Sequence, residues 1–340
     1  MKVATILGTR PELIKLSETI KLLDKHTDHT FIHTGQNYDY ELDEIFYEDL
    51  NLRKPDYNLA MDNIGDMLNT VKGVLEMEKP DAVVILGDTN SALSAYVAKR
   101  MKIPIFHLEA GNRCFDDNTP EEINRRIIDH IADINLVYTE HARRNLLAEG
   151  IKPDRIFLTG SPMYEVLSNI TITRHESDYY LVSIHREENV DDLKNLKSIV
   201  NKINYLATQN KVILSCHPRL KQKDIKWHQN VKVCKPFGFS KYIGLQVNAI
   251  CVISDSGTLA EESAILGFPA VTVRNSMERP EAIDSGVVIK AHPYNILECA
   301  EIARRREPNL QENNFSEKVL QIIIGYTGYI NKYVWGKHGR

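Results

Sequence analysis

A buried strand and the start of an amphipathic helix follow each other in residues 3–23, VATILGTRPELIKLSETIKLL. Val3–Leu7 is a short apolar run, and a turn that carries Gly8 and Pro11 ends it at once. The segment after this turn places its apolar side chains at helical spacing, at Leu13, Leu16, Ile20 and Leu23. Strand, turn and helix in this order are the unit from which parallel α/β sheets are built.

The same alternation repeats along the chain in two series. The first series predicts further strands at Thr30–His33, Ala82–Leu86, Ile105–Leu108, Asn135–Tyr138 and Ile156–Thr159. The second series predicts strands at Tyr180–Ile184, Val212–Cys216, Val231–Cys234, Ile250–Ser254 and Ala270–Thr272. A polar stretch separates the series, so we predict two doubly wound parallel-sheet domains, residues 1–167 and 168–321. We expect the aromatic tail, about residues 322–340, to pack back on the first domain.

Composition argues against several classes of partner. The chain has 340 residues, with 42 Lys and Arg against 46 Asp and Glu, and a formal net charge of −4. This balance gives no electrostatic footprint for nucleic acid or an acidic membrane. The five Cys include no C-x-x-C pair, which argues against a disulfide framework or thiolate zinc site and favours a reducing compartment. No stretch approaches the roughly 18 apolar residues of a membrane span, so we expect a soluble cytoplasmic protein without a metal site.

Two cations follow the first predicted strand. Ligands of doubly wound domains bind beyond the carboxyl ends of the strands, so residues in these turns are candidates for chemistry. Arg10 and Lys15 lie near a helix N-terminus, which itself attracts anions. Thr9 and Glu12 have the spacing of a capping box. A capped helix with solvated charges explains these residues equally well, so an anion site and a purely structural cap both stay open.

Three acids stand at comparable places in the first series. Asp88 and Glu109 follow two of the predicted strands, and Glu121 opens a predicted helix. Asp88 has a structural explanation as a helix cap, and Glu121 has one as a charge that complements the helix dipole. Glu109 is a poor cap. Three acids at the same edge of one sheet are less readily explained by separate structural roles, so a functional site stays open beside the structural explanation.

Two histidines follow strands of the second series. His185 and His217 each have an Arg close by, which favours an anion or proton-transfer site as readily as a structural role. Neither lies in an H-E-x-x-H helix, so the pattern does not predict a metal site.

A serine–glycine turn, SDSGT at residues 254–258, ends another strand of the second series. The backbone N–H groups of Ser256, Gly257 and Thr258 would receive a phosphate there, and glycine lets that phosphate come close. A carboxylate in the first turn of the next helix would accept ribose hydroxyls. An ordinary turn before an acidic helix start is the alternative explanation.

Taken in order, these motifs resemble those of the non-hydrolysing UDP-N-acetylglucosamine 2-epimerase family. They are GTRPELIK (8–15), GDT (87–89), EAG (109–111), PEEINRR (120–126), HREEN (185–189), HP (217–218), SDSGTLAEE (254–262) and ERPE (278–281). The resemblance covers nearly the whole chain. It implies a glycosyltransferase-B type fold, in which two Rossmann-like domains face a cleft and the second domain binds UDP. It also implies a UDP-2-acetamido sugar as substrate, no cofactor and a homodimer.

The resemblance further implies roles for single residues. Asp88, Glu109 and Glu121 resemble the catalytic acids of the family, and His185 resembles its catalytic histidine. Contacts to phosphate, ribose, uracil and sugar are implied for Arg10, Lys15, Tyr242, Ser256, Gly257, Thr258, Glu262 and Arg279. Arg113 and His217 complete the candidate substrate-binding residues. In this family C2 is inverted by loss of UDP, formation of a 2-acetamidoglycal and re-addition of UDP.

Three segments depart from the UDP-N-acetylglucosamine enzymes, namely residues 111–116, 33–40 and 326–335. They resemble the branch that converts UDP-2-acetamido-2,6-dideoxy-L-talose to UDP-N-acetyl-L-fucosamine, and we favour this substrate. Interconversion of UDP-N-acetylglucosamine and UDP-N-acetylmannosamine is the alternative. A UDP-sugar glycosyltransferase of the same fold, a hydrolysing epimerase and a non-catalytic nucleotide-sugar sensor also stay open.

Overall fold

The computed structural model describes residues 1–35, 47–61, 63–175, 177–274, 281–284, 286–308 and 314–337. The chain forms two compact units. The first unit consists of Met1–Leu167 together with Glu312–Arg340, and the second consists of Ser168–Gln311. Each unit has its own parallel sheet whose strands are connected through helices, which confirms the predicted α/β class.

The first unit contains a parallel sheet with one reversal of strand order. Its strands are β1 Lys2–Leu7, β2 Asp28–His33, β3 Tyr57–Asn58, β4 Ala82–Leu86, β5 Ile105–Leu108, β6 Ile134–Val137 and β7 Ile156–Leu158. Their order in the sheet is β3-β2-β1-β4-β5-β6-β7, and each neighbouring pair is parallel. The order reverses between β1 and β4, and such a switch point is where doubly wound sheets bind ligands. The turns that carry Arg10 and Asp88 follow these two strands.

The first unit has several helices, and the first of them is well capped. They are α1 Arg10–His26, α2 Ile64–Glu78, α3 Ser94–Arg100, α4 Pro120–Ile131, α5 Glu140–Ala148 and α6 Met163–Ser168. Thr9 is the N-cap of α1, and Glu12 completes a capping box, as the sequence predicted. The apolar stripe expected on α1 is buried: Leu13, Leu16, Ile20 and Leu23 are at most 1% exposed.

The second unit repeats the arrangement. Its strands are β8 Tyr179–Ser183, β9 Lys211–Ser215, β10 Val231–Cys234, β11 Val252–Ser254, β12 Ala270–Thr272 and β13 Val288–Lys290. Its helices are α7 Glu187–Val190, α8 Leu193–Gln209, α9 Pro218–Lys221, α10 Phe239–Asn248, α11 Leu259–Leu266, α12 Glu281–Asp284 and α13 Ile296–Ile302. The parallel strands follow the order β10-β9-β8-β11-β12-β13, which reverses between β8 and β11. His185 and Asp255 come after these two strands.

The last helix, α14 Phe315–Tyr329, packs against α1 in the first unit and continues into a π-helical turn, Ile330–Val334. The Ser316 hydroxyl lies 3.1 Å from that of Thr19, and the Ser316 backbone N–H donates to Glu165 at 3.0 Å. Phe315 is fully buried and meets Tyr138 edge-on, with 5.7 Å between ring centroids. These contacts explain why a segment distant in sequence belongs to the first unit.

In the ranges that the structure describes, no helix combines the length and apolar character needed to cross a bilayer.

Candidate active site

The loops after β1, β2 and β4 meet at Gly8. A Cβ atom at this position would lie 2.0 Å from Ser91 Oγ and 2.3 Å from Thr34 Oγ1. These two hydroxyls are themselves hydrogen-bonded at 2.6 Å. Glycine therefore lets these two hydroxyl side chains pack directly against the backbone at the switch point, which explains the first residue of the GTRPE sequence without any ligand.

Glu12 ties the loop after β1 to the loop after β4. Its buried carboxylate accepts hydrogen bonds from the backbone N–H groups of Gly8 at 2.9 Å and Thr9 at 2.8 Å. Its other oxygen accepts from the Thr89 hydroxyl at 2.8 Å. Burial raises the pKa of Glu12 to about 7, although these hydrogen bonds oppose the shift. Glu12 thus does more than cap a helix, because it joins the turns that carry Arg10 and Asp88.

Lys15 and Glu109 form an ion pair at the carboxyl edge of the first sheet. Lys15 Nζ lies 2.5 Å from Glu109 Oε2, and the two side chains are 8% and 11% exposed. Glu109 directly follows β5 and has a φ of +65°. A non-glycine residue in this left-handed region costs of order 1–3 kcal/mol, and such strain is concentrated at functional sites. The structure therefore brings together two residues that the sequence singled out separately.

Asp88 is held by Arg125 of α4. Arg125 Nε donates to Asp88 Oδ2 at 2.9 Å, and Nη2 of the same guanidinium contacts the same oxygen. Arg125 Nη1 donates to Glu122 at 2.8 Å. Burial disfavours ionisation of Glu122, but hydrogen bonds from Cys114 and nearby arginine charges hold its pKa below the ordinary value. Glu121, the predicted acid, lies half-buried one residue earlier, so Glu122 is the acid that joins this network.

Arg113 belongs to a buried ion network beneath the Glu109 turn. Its Nη1 donates to Asp129 at 2.7 Å, and its Nε and Nη2 donate to Glu149 at 2.7 and 2.6 Å. Asp129 also accepts from the Gly111 backbone N–H at 3.1 Å. Burial opposes ionisation of Asp129, but His107 and Arg113 lower its pKa. Because Arg113 is 2% exposed and bound on both sides, the geometry gives it a role in holding the loop and not in contacting substrate.

His107 connects that network to the loop carrying Asp88. Its Nδ1 lies 2.9 Å from Asp129 Oδ1, and its Nε2 lies 2.8 Å from the Gly87 carbonyl oxygen. A carbonyl oxygen only accepts, so Nε2 carries a proton. The turns after β4 and β5 are thereby fixed to one buried framework.

In the second unit, Asp255 organises the turn that carries His185. The carboxylate accepts from the backbone N–H groups of His185 at 3.0 Å and Arg186 at 2.9 Å. It also lies 2.9 Å from His185 Nδ1. Burial alone would raise the pKa of Asp255, but the hydrogen bonds and charge of His185 lower it. Asp255 is fully buried, whereas the His185 side chain is 34% exposed.

The serine–glycine turn follows Asp255. The Ser256 N–H donates to Ser254 Oγ at 3.0 Å, and the Thr258 N–H donates to Ser256 Oγ at 3.4 Å. Two of the three N–H groups expected to be open to a phosphate are thus satisfied by short hydroxyl side chains, which often fold back on nearby backbone. A phosphate at this turn would have to replace those hydroxyls as the acceptor.

Two arginines flank Gly257. A Cβ atom there would lie 3.3 Å from Arg274 Nη1 and 3.9 Å from Arg186 Nη2. The sequence predicted cations here, since Arg186 stands beside His185 and Arg274 follows the strand after this turn, but it did not predict that both guanidinium groups flank Gly257. Their position could have been found from the rule that strand ends converge at a switch point. Together with glycine they form a cationic site suited to an anion.

Glu262 and Tyr242 lie close together in the second unit. Gln246 Nε2 donates to Glu262 Oε2 at 2.7 Å, and both side chains are buried. Burial raises the pKa of Tyr242, and the charge of Glu262 raises it further. His217 is exposed after β9, with its ring centroid 5.6 Å from that of His185.

Arg10 and Arg279 are the remaining predicted substrate contacts. Arg10 is half-buried at the first position of α1. Arg279 and residues 36–40 lie outside the described residues. Within those that are described, no group of three or more His, Cys, Asp or Glu side chains is arranged to hold a metal ion.

The chain is similar to known proteins over most of its length. Residues 21–320 match the family model described as UDP-N-acetylglucosamine 2-epimerase. The UDP-N-acetylglucosamine 2-epimerase of Methanocaldococcus jannaschii is 38% identical over 95% of this chain and 99% of its own length. The UDP-2,3-diacetamido-2,3-dideoxy-D-glucuronate 2-epimerase of Pseudomonas aeruginosa is 35% identical over 88% of this chain and 91% of its own.

Two solved structures match nearly the whole chain. The UDP-N-acetylglucosamine 2-epimerase of Rickettsia bellii has a TM-score of 0.86 and 43% identity, and covers 99% of this chain and 100% of that one. The M. jannaschii enzyme in complex with UDP-GlcNAc and UDP has a TM-score of 0.86 and 36% identity, with 96% and 100% covered.

Proposed function

The chain belongs to the non-hydrolysing UDP-N-acetylglucosamine 2-epimerase family, whose members are isomerases, and we propose that it inverts C2 by eliminating and re-adding UDP. A carboxylate takes the C2 proton, and the C2–H electron pair becomes the C1=C2 bond of a 2-acetamidoglycal. The C1–O electron pair leaves with the β-phosphate oxygen of UDP. Re-addition reverses these steps with protonation on the opposite face.

The observation that carries this proposal is the acidic edge of the first sheet, where Asp88 follows β4 and Glu109 follows β5. Inversion needs a proton-transfer group for each face of C2, and each contributes typically 10²–10⁴-fold. Glu109 has a cation, Lys15, at 2.5 Å that stabilises its ionised form. Asp88 is fixed by the guanidinium of Arg125. We assign proton transfer to Asp88, Glu109 and Glu121.

The second unit would bind the nucleotide. The turn at Ser256, Gly257 and Thr258 lies beside the guanidinium groups of Arg186 and Arg274, which suits a diphosphate. The buried Glu262 would accept ribose hydroxyls, and Tyr242 would lie beside uracil. Negative charge grows on the β-phosphate oxygen as the C1–O bond breaks, and preorganised donors there stabilise the transition state most directly. We assign this task to His185, with the turn and its arginines.

Two substrates are candidates. Residues 111–116 and the tail support UDP-2-acetamido-2,6-dideoxy-L-talose, which we propose as the substrate. The names of the M. jannaschii and R. bellii relatives favour UDP-N-acetylglucosamine instead. The P. aeruginosa relative is named for a sugar with a second acetamido group and a carboxylate. The shared chemistry is UDP with a 2-acetamido group.

The test offers each UDP-sugar separately and identifies products by NMR. Formation of the 2-epimer from UDP-sugar alone is expected. Free sugar plus UDP would instead identify a hydrolysing epimerase, and no product without an added acceptor would favour a glycosyltransferase. Glu109→Gln should retain UDP-sugar binding and lose turnover, which also excludes a non-catalytic sensor.

A further inference from the structure

We infer that Asp255 is the positioning residue for His185: it fixes a proton on Nδ1 and so presents Nε2 to the ligand. The task of Nε2 rests on the proposed function, whereas the protonation of Nδ1 rests on geometry alone. The two can therefore fail independently.

The contact between the two side chains favours a proton on Nδ1. His185 Nδ1 lies 2.9 Å from Asp255 Oδ1. An ionised carboxylate only accepts hydrogen bonds, and an unprotonated Nδ1 would turn its lone pair towards that negative charge, so the contact favours Nδ1–H. Asp255 is fully buried, so water does not compete for its oxygens. The lowered pKa of Asp255 agrees with an ionised carboxylate.

Asp255 is itself held rigidly. Three N–H groups converge on it, from the His185 backbone at 3.0 Å, the Arg186 backbone at 2.9 Å and the Asn189 side chain at 3.0 Å. The Asn189 amide also donates to the Val273 carbonyl at 3.0 Å, which fixes which way that amide points. These hydrogen bonds fix the orientation of the Asp255 carboxylate, and the carboxylate in turn fixes the orientation of the His185 imidazole.

His217 provides an internal contrast. Its Nδ1 accepts a hydrogen bond from the Arg219 backbone N–H at 3.2 Å. An accepting Nδ1 carries no proton, so neutral His217 must be protonated on Nε2. The rings of His185 and His217 lie 5.6 Å apart, with 39° between their planes. The structure therefore assigns opposite tautomers to two neighbouring histidines, His185 and His217.

This arrangement suits the task proposed for His185. With Nδ1 committed to Asp255, Nε2 is the nitrogen available to a bound ligand. In the charged ring Nε2–H donates a hydrogen bond to the β-phosphate oxygen that gains charge as the C1–O bond breaks. The adjacent Asp255 stabilises that imidazolium, as the buried carboxylate of a Ser-His-Asp triad stabilises its histidine.

The experiment reads the protonation of each ring nitrogen by long-range ¹H–¹⁵N correlation in the full-length protein labelled with ¹⁵N-histidine. Spectra are recorded near pH 9, roughly two units above the ordinary histidine pKa. His185→Asn and His217→Asn assign the two signals. Protonated Nδ1 in His185 together with unprotonated Nδ1 in His217 is the expected result. Unprotonated Nδ1 in His185 overturns the inference.

Asp255→Asn supplies the second arm. We expect His185 to lose its preference for Nδ1–H and turnover to fall about 10²–10³-fold, as for loss of one transition-state donor. UDP affinity, measured by calorimetry, should change less than tenfold. Unchanged turnover in a folded Asp255→Asn protein would overturn the positioning role. If this variant does not fold, the wild-type spectrum still decides the inference. Absence of epimerisation by the wild type would contradict the proposed function and leave the tautomer result standing.

Discussion

Lys15 Nζ and Glu109 Oε2 lie 2.5 Å apart, although 94 residues separate them in the chain. Lys15 comes from the second turn of α1, and Glu109 follows β5 in a left-handed conformation. Both side chains are largely withdrawn from water, so their attraction is screened far less than that of a surface pair. The pair therefore holds a positive and a negative charge together at the carboxyl edge of the first sheet.

Lys15→Met should lower turnover by about 10²-fold, because it removes the cation that stabilises the ionised Glu109 carboxylate. The matched control is Lys21→Met on the same helix, where Lys21 pairs with Glu18 at 2.8 Å but is 35% exposed. The control should change stability by less than about 1 kcal/mol and leave turnover intact. Steady-state kinetics of both variants check this, and equal effects would argue against a special role for Lys15.

The pKa of Glu12 predicts a pH-dependent contribution to stability. Burial raises this pKa from 4.5 to about 7, so the folded protein holds the proton over that window more tightly than the unfolded chain. Stability from this group is therefore complete below pH 4.5 and falls as pH rises towards 7. The whole interval corresponds to roughly 3 kcal/mol.

Glu12→Gln removes this titration and can keep the hydrogen bonds, since an amide accepts from backbone N–H groups and donates to Thr89. Relative to wild type, the variant should gain about 1–3 kcal/mol between roughly pH 5 and pH 8. Denaturant unfolding at both pH values measures this, with Glu18→Gln on the same helix as the control. A difference that does not move with pH would contradict the raised pKa.

Arg113→Met should destabilise the protein by about 3–5 kcal/mol, because it leaves two carboxylates without their buried cation. Lys72→Met is the control, since Lys72 pairs with Glu76 at 3.6 Å and both side chains are 58% exposed. That change should cost less than about 0.5 kcal/mol. Unfolding by urea compares them. A stable Arg113→Met protein with weakened UDP-sugar binding would restore Arg113 as a substrate contact.

Gly257→Ala should weaken UDP binding at least tenfold with little loss of stability. The added methyl group would lie 3.3 Å from Arg274 Nη1, at the end of a side chain that can shift by a few tenths of an ångström. It would nevertheless occupy the space between the two guanidinium groups. Gly244→Ala in α10 is the control, with no atom within 4 Å, and should stabilise that helix by about 0.5–1 kcal/mol. Calorimetry with UDP compares the two, and undiminished affinity in Gly257→Ala would exclude this turn as the diphosphate site.

Most of the fold was predictable because continuous apolar runs, bounded by turns, mark central strands. The predicted strand Ala82–Leu86 matches β4 residue for residue. By contrast, β3 and β13 were not predicted, and β3 has only two residues, too few to carry a periodicity that a sequence pattern could detect. They exist because a neighbouring strand pairs with them.

The sequence predicted which residues stand at the site better than it predicted which side chains contact each other. Strand ends pointed to Asp88, Glu109 and His185, since parallel strands end at one edge. Sequence could not distinguish Glu121 from Glu122, because both stand in the first turn of α4 and packing alone decides which side chain meets Arg125. Asp255 belongs to a turn that was recognised from the sequence, but its role was not predicted because its partner His185 lies 70 residues away.

The most direct test of the proposed chemistry is turnover in D₂O with the accepted UDP-sugar. Loss and return of the C2 proton through carboxylates that exchange with solvent should place deuterium at C2 of the epimer, visible by NMR and mass spectrometry. Epimer that forms with its original hydrogen at C2 would contradict elimination and re-addition of UDP as the mechanism.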